Sequence, residues 1–450
     1  MSTRPDALSD RLHRWLMLPS LPIILLVIGA ILRIGWLVVV DDLHPYTSES
    51  HHIAIALATK GQYADAFGAG TGPTAHLAPT TPLISAAAYR LFGVTHLATV
   101  VLSLQAIAVV SLSFLVAFRA FALLGAGMPA RLAGLAIVTL LPLQFSLEVR
   151  EFRGWEGGIS ALLIALMLLQ VLKADSEWQA GGRAIGTRGL IGFGLGVGAI
   201  GIINPASGLA ATGMVGILLI RRVRWTRWMI PVAAAAIVVT AVTLPWALYN
   251  QHNVRNLILT RSSLGLSLSF VYHDAQLTQS RQDAYNKRFY VISPQHNAQA
   301  RADYIRLGDV EYNRRLENTA RDWMANHPDT VNRIRRENIR DYYLPPAWFF
   351  SRFGGVPQGA GIRVALIWAG SIFGLLTLAV MLARRRWLYL YVLAAVTLPA
   401  VPYILVYPLL RYRYMVSTLL FLMACDGAWR LWTWWRARRT VPAAVVAAGA

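Results

Sequence analysis

The chain has 450 residues, of which 56% are apolar and 14% are charged, and its mean hydropathy is +0.48. Soluble domains carry about a quarter of charged residues, so this composition argues against an ordinary soluble enzyme, a disordered chain, a collagen and a coiled coil. It indicates a polytopic membrane protein. The net charge of +20 does not indicate a nucleic-acid partner, because the basic residues lie in short clusters between apolar runs, as in RRVRWTRW from Arg221. The single cysteine, Cys425, lies in an apolar run and excludes an intrachain disulfide.

Apolar segments of roughly 16 to 22 residues, long enough to cross a bilayer as helices, recur along the chain. They cover residues 21–40, 97–117, 131–147, 157–172, 188–203, 205–220, 228–249, 362–383, 387–408 and 411–431. The fifth and sixth segments are separated by Asn204 and begin again at Pro205, which predicts a tight hairpin or one broken helix. The sequence therefore predicts an all-α polytopic fold with about ten transmembrane helices.

The basic clusters predict how the segments are threaded through the membrane. With the N-terminus in the cytoplasm, every dense basic cluster is cytoplasmic, and so is the C-terminus. Residues 1–249 then form a transmembrane region with a first outer loop at 41–96. Residues 250–361 form a small, mainly helical extracytoplasmic domain, and residues 362–450 form the last transmembrane helices and a cytoplasmic tail.

Two carboxylates of the first outer loop are candidates for acid–base chemistry. Asp41 follows the first span directly, and Glu49 follows Ser48, a good N-cap, at the start of a short helix that ends near Gly61. A carboxylate held at the membrane surface suits a general base that acts on a lipid-embedded partner. In the alternative interpretation, Glu49 stabilises the helix dipole and Asp41 ends the membrane span.

The same loop carries His44, His51, His52 and His76, which together with an acidic residue are candidate metal ligands. Their spacing matches no metal motif, and the adjacent pair points to different faces of a helix. A solvated loop is the better interpretation, and a divalent metal is left open.

Several arginines lie near the predicted outer membrane boundary. Arg411 and Arg413 flank a tyrosine at the outer end of the last span, and Arg261 follows the seventh span. Guanidinium groups bind phosphate through paired donors, so these residues are candidates for holding the phosphate of a lipid carrier. The alternative is snorkelling to ordinary headgroups, which also applies to Arg33 inside the first span.

Four segments, in chain order, resemble the bacterial branch of the GT-C glycosyltransferases, the superfamily of protein mannosyltransferases and aminoarabinose transferases. The matching segments are Glu49 with IAIALATKG and GPTAHLAPTTP, the pair Trp155 and Glu156, PWALYN with Arg261, Ser262 and Gly265, and the RYR of 411–413. The chain departs from the family pattern at Thr81, at 248–250, at Met415 and at Thr418.

This resemblance implies a transferase of the bacterial inner membrane that passes a sugar, with inversion, from a polyprenyl-phosphate carrier to a glycan, lipid or protein acceptor outside the cytoplasm. It implies Glu49 as the base, with Asp41 as the second candidate. Arg261, Arg411 and Arg413 are then phosphate ligands, and Glu156 is a further substrate-binding residue. No ATP or nucleotide-sugar site is expected. A transporter or flippase of a lipid-linked sugar is the alternative. Such proteins place ionisable groups near the midplane and often have repeated halves, whereas here the acidic residues cluster at the outer boundary, no repeat is visible and a large outer domain is present.

Overall fold

The computed structural model describes residues 20–40, 48–182, 184–353 and 360–439. These residues form helices, two 3-10 turns and an isolated antiparallel bridge between Ala64 and Pro73, with no strand among them, so the all-α class is confirmed. The helices up to residue 253 are α1 (Leu21–Val39), α2 (Glu49–Lys60), α3 (Thr80–Phe92), α4 (His96–Leu123), α5 (Met128–Leu140), α6 (Phe145–Val149), α7 (Gly157–Gln179), α8 (Thr187–Ile203), α9 (Pro205–Arg222) and α10 (Met229–Asn253). The later helices are α11 (Leu264–Ser269), α12 (Ala275–Thr278), α13 (Arg281–Ile292), α14 (Ala298–Leu307), α15 (Asp309–Asn326), α16 (Pro328–Tyr343), α17 (Ala347–Phe353), α18 (Ala360–Ala383), α19 (Tyr389–Thr397), α20 (Ala400–Leu405) and α21 (Leu410–Arg439).

Helices occupy all ten predicted apolar segments, but a count of ten spans is not confirmed. Within the described residues, five helices are long and apolar enough to cross a membrane, namely α1, α4, α7, α18 and α10 with its preceding 3-10 turn. A sixth span results if α5 and the segment Phe145–Arg153, which meet at a bend of 69°, are one broken span. The chain is a multi-pass membrane protein on these lengths and compositions.

The other predicted spans fall short for identifiable reasons. The helices of Thr187–Ile203 and Tyr389–Leu405 are apolar but shorter, and Pro399 and Pro402 lie at the join between α19 and α20 in the second of them. Arg221 and Arg222 end α9, and α21 contains Asp426 and Arg430 among its apolar residues. Hydropathy over a whole segment did not separate these interrupted helices from simple spans.

A buried ion pair and its hydrogen bonds join four helices inside the bundle. Arg33 of α1 is 1% exposed, and its Nε donates to Glu148 Oε2 at 2.7 Å. Its remaining nitrogens donate to the carbonyls of Val138 and Thr139 at 3.0 and 2.9 Å, and Tyr414 of α21 donates its hydroxyl to Glu148 Oε1 at 2.7 Å. Arg33 therefore points into the bundle and does not snorkel to the surface.

Helices α11 to α17 form a unit that we call the cap (residues 264–353), which packs on one end of the bundle. The hydroxyl of Tyr272 donates to Leu405 O at 2.8 Å, and Asn338 Nδ2 donates to Ile404 O at 2.7 Å. These carbonyls belong to the last turn of α20, where a helix lacks its own donors. The cap thus satisfies the backbone of a short helix that the bundle leaves incomplete.

Turn-forming residues divide the cap into short helices. Gly308, with a φ of +80°, separates α14 from α15. Pro328 begins α16, which ends at Tyr343, just before Pro345 and Pro346. The cap is mainly helical, as the sequence predicts for residues 250–361.

Gly265 allows α11 to approach α15 closely within the cap. A methyl group on Gly265 would lie 1.8 Å from the carbonyl oxygen of Asn313 in α15. Because that neighbour is backbone, we expect Gly265→Ala to destabilise the protein by about 3 kcal/mol. Thermal unfolding of the detergent-purified protein measures this, and Gly35→Ala in α1, where no atom lies within 4 Å of the added methyl, is the matched control. Equal midpoints for the two variants would contradict the close contact.

Candidate functional site

A break between two helices positions the first polar residues of the site. Asn204 separates α8 from α9, and its Oδ1 accepts from Ser207 N at 3.0 Å, which caps α9. Its Nδ2 donates to Glu156 Oε1 at 3.2 Å and lies 3.4 Å from the hydroxyl of Tyr403. Glu156 is the N-cap residue of α7, so the break brings a carboxylate, an amide and a phenol together.

Arg411 is held beside this group by an ion pair and aromatic rings. Its Nη1 lies 3.2 Å from Glu151 Oε2, and its guanidinium lies 5.2 Å from the ring centre of Tyr412 and 5.7 Å from that of Trp155. The Tyr412 ring stacks on Tyr403 at 4.1 Å with an angle of 7° between the planes. Arg411 is 34% exposed, so it can reach a ligand above the rings.

The loop after α10 carries Arg261 and places its charge within electrostatic range of Tyr403. The charges of Arg261 and Glu156 both act on the Tyr403 hydroxyl. Two side chains of α10 hold this loop: Trp246 Nε1 donates to Thr260 O at 3.0 Å, and Asn250 Nδ2 donates to Ile258 O at 2.8 Å. The Arg261 side chain is exposed and has no hydrogen bond or ion pair to any of the described residues.

We call the assembled group the tyrosine cluster; its members are Glu151, Trp155, Glu156, Asn204, Arg261, Tyr403, Arg411 and Tyr412. Three of the predicted site residues, Glu156, Arg261 and Arg411, therefore come together. Two cations, two carboxylates and a stacked aromatic surface suit a ligand that combines a phosphate with polar hydroxyls.

Glu49 lies on an adjacent helix. Ser48 caps α2 as the sequence predicts, with its hydroxyl accepting from His51 N at 3.3 Å, and Gly61 ends the helix with a φ of +68°. Glu49 is half-buried in the first turn, at the positive end of the helix dipole. Gly154, from the loop that carries Glu151 and Glu156, packs against Ser50: a methyl group added there would lie 3.4 Å from the Ser50 side chain. Helix α2 thus contacts, through Ser50, the segment that carries Glu151 and Glu156.

Tyr63 connects the loop between α2 and α3 to α10. Its hydroxyl donates to Leu77 O at 3.0 Å, and its ring packs on Trp246 at 4.9 Å. Burial raises the pKa of Tyr63 well above its ordinary value, and the neighbouring Tyr249, Asp309 and Glu156 raise it further. The phenol therefore stays protonated and acts as a hydrogen-bond donor between loops.

Arg413 lies away from the cluster, in contrast to Arg411. It is fully buried between α21 and α18, where its guanidinium donates to Ser417 Oγ at 2.8 Å and to Ser371 Oγ at 2.6 Å. A ligand on the surface cannot reach it, so we leave Arg413 out of the proposed site. Asp41, the second candidate base, lies outside the described residues, as does His44.

The remaining histidines of the first loop have separate surroundings. His51 Nδ1 lies 2.8 Å from the Tyr89 hydroxyl, whereas His76 Nδ1 lies 3.9 Å from Asp309 Oδ1. Among the residues described, no group of three or more His, Cys, Asp or Glu side chains is arranged to hold a metal. A metal requirement stays untested.

Sequence reasoning missed three residues that organise this region. They are Tyr403, Asp309 and Asn204, the last as a hydrogen-bond donor to Glu156. The Asn-Pro pair predicted the break at residue 204 but not the contact with Glu156. Tyr403 lies in an apolar run and belongs to none of the matching segments. Asp309 had one available signal, the Gly-Asp pair that begins α15, and that signal indicates a helix start without indicating a partner.

Comparison with known proteins gives little further assignment. No protein-family model matches the chain, and no curated protein matches it. Among solved structures, the chain is similar to ArnT from Cupriavidus metallidurans in the apo state, at 14% identity and a TM-score of 0.32, over 88% of this chain and 76% of that chain. A likeness at this level does not determine the function, which has to be argued from the residues themselves.

The buried His51 predicts how stability changes with pH. Burial, and then the neighbouring His52, lowers the pKa of His51 from 6.5 to about 4. Between these two values the unfolded chain binds a proton at His51 and the folded chain does not, so its contribution favours folding above pH 6.5 and is lost as the pH falls towards 4. We expect His51→Gln to show a smaller decrease in melting temperature between pH 7.5 and pH 5 than the wild type.

Tyr89→Phe is the matched control for this measurement. It removes the hydroxyl that contacts His51 and leaves the ring buried, so the pH dependence should persist because burial is the main cause of the shift. If the melting temperature of His51→Gln decreased between pH 7.5 and pH 5 as much as that of the wild type, the pH dependence would belong to other groups.

Proposed function

We propose that the chain is a membrane glycosyltransferase that takes a sugar from a polyprenyl-phosphate carrier and passes it, with inversion, to an acceptor on the extracytoplasmic face. The observation that carries this proposal is the convergence of Glu156, Arg261 and Arg411 around the stacked Tyr403 and Tyr412. Each of the three lies in a different one of the segments that resemble the GT-C family. Residues from segments distant in sequence thus meet at one end of the bundle, under the cap.

The reaction is a single in-line displacement. The Glu49 carboxylate takes the proton of an acceptor hydroxyl while that oxygen attacks the anomeric carbon of the sugar. The bond from this carbon to the phosphate oxygen breaks, and its electron pair stays on the phosphate, which departs from the opposite face. Arg261 and Arg411 stabilise the charge that develops there.

Glu156 binds the sugar in this proposal. Its carboxylate accepts from Asn204 at 3.2 Å and has further lone pairs for sugar hydroxyls. The partly buried ring of Trp155 beside it offers an apolar face. Asp41 remains the second candidate for the base, and no step assigned to these residues uses a nucleotide or a metal.

A flippase for a lipid-linked sugar is the competing proposal, and one observation favours it: the ion pair of Arg33 and Glu148 lies within the bundle, where transporters hold ionisable groups. Both groups are fully buried and bonded to each other and to Tyr414 and backbone carbonyls. This pairing is better suited to holding helices together than to carrying a substrate.

The deciding experiment uses the purified protein in nanodiscs with radiolabelled polyprenyl-phosphate sugars. Transfer of label to an acceptor or to water supports the transferase. Absence of transfer, together with movement of intact lipid-linked sugar across a sealed proteoliposome membrane, supports the flippase instead.

The role of Glu49 is tested by Glu49→Gln, which keeps the shape of the side chain and removes its ability to accept a proton. We expect kcat to fall by about 100-fold or more while donor binding is retained. Glu311→Gln is the matched control, because Glu311 is an exposed cap carboxylate paired with Arg314 and Arg315. Near-normal turnover of Glu49→Gln would move the base to Asp41 or to another carboxylate.

The role of Arg261 is tested by Arg261→Gln. We expect kcat/KM for the lipid donor to fall by about 100-fold, since a cation that stabilises the departing phosphate is lost. Arg255→Gln removes an exposed cation from the same loop and controls for surface charge. Equal effects of the two variants would indicate general attraction to anionic lipid and argue against a specific phosphate contact.

A further inference from the structure

One buried carboxylate joins three segments of the chain that are far apart in sequence. Asp309, the first residue of α15, is 2% exposed. Its Oδ2 accepts from Ala75 N at 2.7 Å, Ser262 Oγ at 2.7 Å and Thr74 Oγ1 at 3.1 Å. Its Oδ1 accepts from Asn313 Nδ2 at 3.0 Å. Four donors thus converge on the two oxygens of one carboxyl group.

The two loops that meet at Asp309 are also bonded to each other. Ser262 N donates to Ala75 O at 2.8 Å, so the segments around 75 and 262 form a short backbone bridge beside the carboxylate. Gly265 then lets the chain pass directly over α15, and Leu266 N donates to Asn313 Oδ1 at 3.2 Å. The backbone that follows Arg261 is therefore fixed to α15 at two points, through Ser262 to Asp309 and through Leu266 to Asn313.

The other side of Arg261 is fixed to the bundle. Thr260 O accepts from Trp246 of α10, one residue before Arg261, whereas Ser262 is held by Asp309 one residue after it. The Arg261 side chain itself is exposed. The position of Arg261 is thus determined by its two neighbours along the chain.

We propose that Asp309 is a positioning residue, which acts through Ser262 to hold Arg261 where it meets the phosphate of the carrier. This inference rests on the proposed function for its catalytic consequence, but the positioning itself is a property of the chain alone. Asp309 is buried behind the loops and contacts no substrate. Removing its charge should release Ser262 and let Arg261 move away from Tyr403.

The positioning is tested by hydrogen exchange of the protein in nanodiscs, without any substrate. In Asp309→Asn, the side-chain NH2 group replaces one acceptor oxygen and then faces a hydrogen-bond donor. We therefore expect the backbone amides of Ser262 and its neighbours to exchange at least ten-fold faster than in the wild type. Asp303→Asn, an exposed carboxylate in the preceding helix that pairs with Arg306, is the matched control and should leave this segment unchanged. Unchanged exchange in Asp309→Asn overturns the proposal.

The catalytic consequence is tested by a double-mutant cycle between Asp309→Asn and Arg261→Gln. If Asp309 acts through Arg261, Asp309→Asn raises the KM for the lipid donor about ten-fold in the wild type and changes it less than two-fold when Arg261 is already Gln. Additive effects in the two backgrounds overturn the action through Arg261. Ser262→Ala removes one of the hydroxyl groups that donate to Asp309 and should raise the KM for the lipid donor by a smaller factor. This variant tests the proposal if Asp309→Asn does not fold.

The two proposals fail in different ways. A wild-type protein that transfers no sugar contradicts the transferase, while the exchange experiment still decides whether Asp309 positions Arg261. A wild type that transfers sugar, with additive effects of the two variants, retains the transferase and removes the role of Asp309.

Discussion

The hydrogen-bonded ion pair between Arg33 and Glu148 fixes the positions of α1 and α21, the first and last helices, relative to the tyrosine cluster. Both groups are buried away from water, so each needs a partner inside the bundle, and the contacts between α1, α6 and α21 provide one for each. Glu148 precedes Glu151 by three residues, and Tyr414 follows Arg411 by three residues, which is about one helical turn in each case. The hydrogen bond between Tyr414 and Glu148 therefore aligns α21 with α6 so that Arg411 and Glu151 lie at the same level along the bundle and form their ion pair.

The residues of the tyrosine cluster share a second constraint, because each lies at or near the end of a helix. Glu156 precedes α7, Asn204 separates α8 from α9, Tyr403 lies in the short α20, and Arg411 opens α21. Spanning helices must satisfy their backbone internally, so polar side chains and open hydrogen-bonding groups collect where the helices stop. The cap closes over this end and completes it, as the bonds from Tyr272 and Asn338 to α20 illustrate.

Local signals in the sequence predicted local structure well. The N-cap Ser48, the terminating Gly61 and the break at Asn204 are all found, because each depends on a few adjacent residues. The contacts between Ala75, Ser262 and Asp309 could not be predicted in this way, since their donors and acceptor are far apart along the chain. Arg411 and Arg413 were treated as one phosphate-binding pair, although successive residues of a helix rotate by about 100°, which places residues two apart on nearly opposite faces. Helical geometry alone would have separated them.

The loop that carries Arg261 is attached to a helix with unusual surroundings. Among the five candidate spans in the described part of the chain, α10 with its preceding turn has the smallest share of its residues enclosed by protein. Leu244 and Leu248 near its end are about half exposed, at 49% and 57%, and Trp246 and Asn250 between them hold the Arg261 loop. A ligand with a long apolar chain would therefore reach Arg261 by diffusing within the plane of the membrane. Its encounter rate would depend on the number of carriers per unit area of bilayer and would be insensitive to the volume of solution around it.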